Sequence, residues 1–221
     1  MAVHQLPLEP PPDDSLAGRQ EALDQARREA AHCQACPLWQ IGSQTVFGAG
    51  PATARLLFIG EAPGSHEDKE GIPFVGPAGR LLDQALAQAA ISRDEVFISN
   101  IVKHRPWTKA DGRTKNRPPK QSEINACRQW LARELAAVRP EMIVCLGAPA
   151  AREILGKGFR LTEQRGQWFS TEAAPNVMAT IHPAYVLIQP DETFAYWEEI
   201  LFADFRLIGQ RFAAFRSSET G

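Results

Sequence analysis

RLLFIGEAPG, residues 55–64, runs from a short apolar stretch straight into a turn built of Gly, Pro and a single carboxylate, Glu61. An apolar run of this length closed by glycine is the pattern of a strand buried on both faces. Working outward, VFISNIV (96–102), MIVCLG (142–147) and VMATI (177–181) repeat the pattern. Helical stretches alternate with them: AGRLLDQALAQAA (78–90), SEINACRQWLARELAAV (122–138), APAAREIL (148–155) and TFAYWEEILFADFRLIGQRFAAF (193–215). Upstream, SLAGRQEALDQARREAAHC suits a helix capped by Ser15. This alternation predicts an α/β fold, three layers α/β/α around a central, mainly parallel four-stranded sheet.

A chain of 221 residues, 44% of them hydrophobic, can bury one domain or at most two small ones. Residues 1–15 are rich in Pro and acidic groups and read as a disordered leader, 16–215 as a single domain and 216–221 as a flexible tail. No apolar run approaches the roughly 20 residues that span a bilayer, and MAVHQLPLEPPPDD lacks the order of a secretory signal. The expectation is a cytoplasmic monomer with no membrane partner. A formal net charge of -2 argues against indiscriminate coating of nucleic acid but leaves room for a local basic groove. In a reducing compartment the CQAC of Cys33 and Cys36 points to a metal, a cluster or redox chemistry. Cys127 lies in a predicted helix, whereas Cys145, mid-strand, reads as a small core residue. His104 is a plausible fourth ligand, with a phosphate contact or a solvated loop histidine as the alternatives.

In a parallel sheet the loops leaving the carboxyl ends of the strands form the ligand crevice. That rule selects Glu61, Phe74 in PFVGPAG (73–79), Asn100 and His182. Each has a plain reading: a surface-turn glutamate, a core plug, a local backbone cap and a structural histidine. Their convergence on one sheet edge favours a functional site. The same edge carries NIVKHRPWTKADGRTKNRPPKQ (100–121), with seven Lys and Arg against one Asp. It reads as a basic, proline-broken loop.

These motifs, in this order, resemble the iron–sulfur branch of the uracil-DNA glycosylase superfamily, that is family 4 and its relative UdgX. The resemblance covers roughly residues 25 to 210 through CQACPLW, TVFGAGP, GEAPGSHEDKEGIPFVGPAGRLLD, SNIVK, ACRQWL, VCLGAPAA and HPAYVL. It implies excision of uracil from single- or double-stranded DNA. Glu61 and His182 would be catalytic, the first at the water and developing sugar cation, the second at the uracil carbonyl. Ala62, Phe74 and Asn100, with His182, would form the uracil pocket. It further implies a [4Fe–4S] cluster on Cys33, Cys36, His104 and Cys127. His104 stands where family 4 has a cysteine and UdgX a histidine, and the loop from His104 to Cys127 is long, as in UdgX. Yet the UdgX histidine that becomes attached to the sugar falls, by ungapped count back from ACR, on Asn116. Ile188 replaces an arginine usual in family 4, and Ala62 departs from the UdgX glutamine toward family 4. Lys109, Arg113, Lys115, Asn116 and Arg117 are the expected DNA contacts.

Overall fold

The computed structural model describes residues 6, 8–11 and 13–217. The leader expected over 1–15 and the tail over 216–221 therefore fall partly outside the described residues. Within the leader, Leu6 and Leu8 lie against the core.

Helix α1 (Leu16–Ala30) starts at Ser15, whose hydroxyl accepts the Gly18 N–H at 3.1 Å. Strand β1 (Leu56–Gly60) follows, then α2 (Ser65–Glu70), α3 (Pro77–Gln88) and β2 (Val96–Asn100). Two short strands, β3 (Trp107–Ala110) and β4 (Arg113–Asn116), precede α4 (Gln121–Val138). The chain continues through β5 (Met142–Leu146), α5 (Ala148–Leu155), α6 (Leu161–Gln164), β6 (Trp168–Phe169), β7 (Asn176–Thr180), α7 (Pro183–Leu187) and α8 (Asp191–Ser217).

The central sheet has the order β2-β1-β5-β7-β6. Its first four strands are parallel and correspond to the four apolar runs; β6 adds a fifth, antiparallel edge strand. Two residues leave no periodicity to read, so β6 has no sequence signal. Along each parallel strand alternate side chains enter opposite cores, as a period of two requires. Leu57, Ile59, Phe97, Ile143 and Cys145 face one core, which they share with residues of α1, α4 and α5. Leu56, Phe58, Ile98, Val144 and Met178 face the other, shared with α3, α7 and α8. Phe58 stacks on Phe205 of α8 with ring centroids 5.6 Å apart. Cys145 is fully buried in this arrangement, the small core residue that its mid-strand position suggests.

The basic segment is not a plain loop. Trp107–Ala110 and Arg113–Asn116 pair as an antiparallel hairpin, and Asp111 and Gly112 take φ of 53° and 72° at its tip. Positive φ at both central residues is the type I′ geometry for which Asp-Gly is a preferred sequence. The Trp107 indole N–H donates to the Ile41 carbonyl at 2.7 Å and pins the hairpin to the body of the protein.

Candidate active site

Parallel register aligns Gly60 with Asn100 and Leu146 with Thr180, so the strands end on one edge. Beyond that edge a cleft of about 330 Å³ is walled by Ala62, Phe74, Asn100, Asn116 and His182, together with His66, Glu67, Leu187 and Ile188. Six of the positions singled out from the sequence, Ile188 among them, thus share one cavity. Glu61 is not on its wall; it leaves β1 one residue before Ala62, half-buried. A larger groove of about 850 Å³, between Leu6, Leu8 and residues 153–173, contains none of them.

Asn100 forms the floor. It is 1% exposed, and its Oδ1 is a buried oxygen with no hydrogen-bond partner among the described residues. A buried amide oxygen left unpaired costs about 1–3 kcal/mol, so such an atom in a cleft is poised for a donor that arrives with a ligand. Gly60 makes the approach possible: a Cβ there would meet Asn100 Oδ1 at 2.4 Å and the Phe74 ring at 2.6 Å.

Phe74 forms one wall. Its backbone takes φ 55°, uncommon for a residue with a side chain, and the surroundings over-determine that conformation. Arg93 donates to the carbonyls of Pro73 and Phe74, each at 3.0 Å. Glu67 accepts the N–H groups of Val75 at 3.1 Å and Gly76 at 2.8 Å through one oxygen, and that of Gly64 at 3.0 Å through the other. One buried carboxylate therefore ties the loop after β1 to the loop before α3. Sequence reasoning missed Glu67, although a Glu three residues after a Gly in a helix-opening stretch is a recognisable capping pattern.

His182 caps α7 and lies alongside Phe74, with centroids 5.5 Å apart and planes inclined by 27°. Its Nδ1 accepts the Ala184 N–H at 3.0 Å. The ring proton therefore sits on Nε2, which is left as a donor. Loss of solvation lowers its pKa to about 4, against an opposing pull from Glu67, so the imidazole is neutral at physiological pH. Burial moves Glu61 the other way, raising it above the ordinary carboxylate value.

On the hairpin, Asn116 reaches the cleft wall and its Oδ1 accepts from Arg105 Nε at 2.7 Å. Lys109, Arg113 and Lys115 are exposed. The pleat sets Lys109 on the face of Asn116, and Arg113 and Lys115 on the opposite face. Arg117, also expected as a DNA contact, is half-buried. Its guanidinium is engaged by Glu123 at 2.6 and 2.9 Å, and Glu123 in turn caps α4 through the Lys120 N–H.

Cys33 and Cys36 follow α1, and Cys127 lies on α4 against the same core. Two of these sulfurs already accept hydrogen bonds, Cys33 from the Trp130 indole at 3.2 Å and Cys127 from the Lys103 N–H at 3.1 Å. N–H donors of this kind tune thiolate ligands. Burial pushes the Cys127 thiol up to about 12, against an opposing pull from Lys103 and with small upward contributions from Cys36 and Cys33. His104 is buried with Nε2 3.0 Å from Thr45 Oγ1. The Thr45 hydroxyl spends its proton on the Ala30 carbonyl at 2.8 Å, which makes it the acceptor and leaves His104 Nδ1 with its lone pair. A histidine whose other nitrogen donates to a fixed oxygen is the usual arrangement of a metal ligand. Among the described residues no three His, Cys, Asp or Glu side chains close around a single metal ion. The donor chemistry nonetheless fits a cluster, whose ligands stand farther apart than those of one ion.

Residues 47–205 match the family described as the Uracil DNA glycosylase superfamily. A type-4 uracil-DNA glycosylase of Sulfurisphaera tokodaii is 38% identical over 85% of this chain and 84% of its own length. Type-4 uracil-DNA glycosylases of Archaeoglobus fulgidus and Thermotoga maritima are 36% and 37% identical, over 86% and 76% of this chain and 93% and 85% of theirs. The motifs and these matches agree, and the chain belongs to the uracil-DNA glycosylase superfamily.

Proposed function

We propose that this protein is a uracil-DNA glycosylase that hydrolyses the N-glycosidic bond of a flipped-out deoxyuridine, releasing uracil and leaving an abasic site for base-excision repair. The observation that carries the reading is the unpaired Asn100 Oδ1 at the floor of a cleft whose wall is Phe74. Uracil presents an N3–H donor beside an O4 acceptor, and one amide matches both; cytosine presents the reverse and leaves that amide mispaired. Stacking on Phe74 offsets part of the few kcal/mol needed to extrude the base. Bond cleavage builds negative charge on the uracil and positive charge on the sugar. His182 Nε2–H donates to the developing oxyanion at O2, and a neutral imidazole remains a donor throughout. Glu61, as carboxylate, stabilises the sugar cation and orients the attacking water. Release of uracil from a uracil-containing oligonucleotide tests the assignment, and an inert protein would refute it.

Lys109, Arg113 and Lys115 supply a salt-dependent, sequence-independent share of DNA affinity. The active unit is a monomeric single domain, working in the cytoplasm. Among the described residues no helix is long and apolar enough to cross a membrane. Cys33, Cys36, His104 and Cys127 would hold a [4Fe–4S] cluster, which when bound supplies a structural link between the end of α1, the hairpin and α4. Protein purified without oxygen should be brown and carry iron and sulfide; colourless, zinc-loaded protein would contradict this.

The pH profile separates the two catalytic groups. Glu61 must be ionised, and its pKa lies above 4.5, so activity present at neutral pH is lost as pH falls through that raised value. His182 stays neutral down to about pH 4. The expected kcat/KM profile has one acid limb, centred above 4.5, and no limb from an ordinary histidine at 6.5.

A second reading, covalent capture of the abasic sugar, draws on His104 and on the hairpin that brings its β4 end to the cleft. Asn116 argues against it, because a neutral carboxamide is a poor nucleophile whereas an imidazole is a competent one. The wild-type protein is expected to turn over without an adduct. Asn116→His is expected to yield a denaturant-stable protein–DNA band with uracil-containing single-stranded DNA. Efficient excision by that variant with no band would remove position 116 as the determinant.

A further inference from the structure

We propose that Lys103 is a positioning residue for base recognition, fixing Asn100 in its reading pose through a buried ion pair with Glu134. The proposal rests on the uracil-reading role given to Asn100. Because Asn100 Oδ1 has no partner, its aim has to come from the main chain at the end of β2. That main chain is gripped from two sides. The Ile101 and Val102 N–H groups donate to Gly60 and Glu61 carbonyls at 2.9 and 3.3 Å, and the Asn100 carbonyl accepts Lys103 Nζ at 2.8 Å.

The ammonium has three donors, and the other two go to Ser99 Oγ and Glu134 Oε2, each at 2.6 Å. Ser99 Oγ itself donates to Glu134 Oε2 at 2.7 Å, and the Gly48 N–H donates to Oε1 at 2.8 Å. Lys103 is 1% exposed and Glu134 fully buried. Stability is a weak reason for such a pair, since well-packed apolar replacements of buried pairs are often neutral or better. A fully satisfied network does, however, hold a backbone group in one place. The neighbouring contact extends the same grip: the Lys103 N–H donates to Cys127 Sγ, tying the reading segment to the cysteine-bearing helix α4.

The test replaces both charges at once, K103M/E134M, so that neither is left buried alone, alongside E134Q, which keeps the hydrogen-bonding shape of Glu134 and leaves Lys103 without its counter-charge. Thermal unfolding, visible absorbance per chain, binding of uracil-free single-stranded DNA, kcat/KM for excision and inhibition by free uracil are measured. The double variant is expected to fold, keep its absorbance and its DNA binding, and lose roughly 10- to 100-fold in kcat/KM. Free uracil should inhibit it correspondingly less well, with E134Q between it and the wild type. Wild-type kcat/KM in a folded double variant would overturn the proposal, as would a loss with unchanged inhibition by uracil. Unfolding of both variants would also overturn it, by assigning the pair to stability alone. A wild-type protein inert toward uracil-containing DNA would instead refute the glycosylase reading.

Discussion

Glu61→Gln is expected to lower single-turnover excision of uracil by roughly 10²–10⁴-fold while leaving the protein folded. Glu61 follows β1 one residue before Ala62 of the cleft wall, and in the proposed mechanism its negative charge stabilises the sugar that turns cationic as the bond breaks. Glutamine keeps the shape and a hydrogen-bonding oxygen but neither the charge nor the basicity. Stability should not fall. Burial raises the Glu61 pKa, so its ionisation opposes folding at neutral pH, and the neutral amide removes that opposition. Full uracil release by this variant would mean that the cation is stabilised by another group.

Asn100→Ala is the second large effect, a loss of roughly 10²–10³ in kcat/KM, the scale of removing one well-placed donor from a developing charge. In the proposed mode two interactions with the base disappear together, N3–H to Oδ1 and Nδ2 to O4. The fold should tolerate the change, because Oδ1 has no partner within the protein to strand. Inhibition by free uracil should weaken in parallel, whereas binding of uracil-free single-stranded DNA should not. Unchanged inhibition by uracil would place base recognition elsewhere in the cleft.

The sequence and the structure agree most closely where burial is two-sided. Each apolar run around RLLFIGEAPG is a parallel strand, because only a sheet covered on both faces requires such unbroken hydrophobicity. Asn100 and His182 line the cleft because they stand where strands end, whereas Glu61, at the end of β1, lies off its wall. The hairpin went unread although its signal was present: Asp111-Gly112 marks a two-residue turn, but proline and dense positive charge around it suggested a loop. Arg117 carries the same lesson, for a run of cations does not reveal which of them an acid six residues on will engage. Lys103 and Glu134 were beyond reach for a different reason. Their burial is created by distant segments, Glu134 meeting Lys103 across 31 positions and Gly48 across 86. A charged residue in a helix or loop is solvated by default, and only the assembled core shows otherwise.

The most direct measurement is base release from uracil-containing single- and double-stranded oligonucleotides, resolved on a denaturing gel before and after alkali. The expected result is full-length DNA at unchanged mobility before alkali, cleavage at the uracil position after it, and free uracil in solution. A gel that shows intact DNA after alkali, or a protein-bound band as the main product before it, would contradict the hydrolytic glycosylase proposed here.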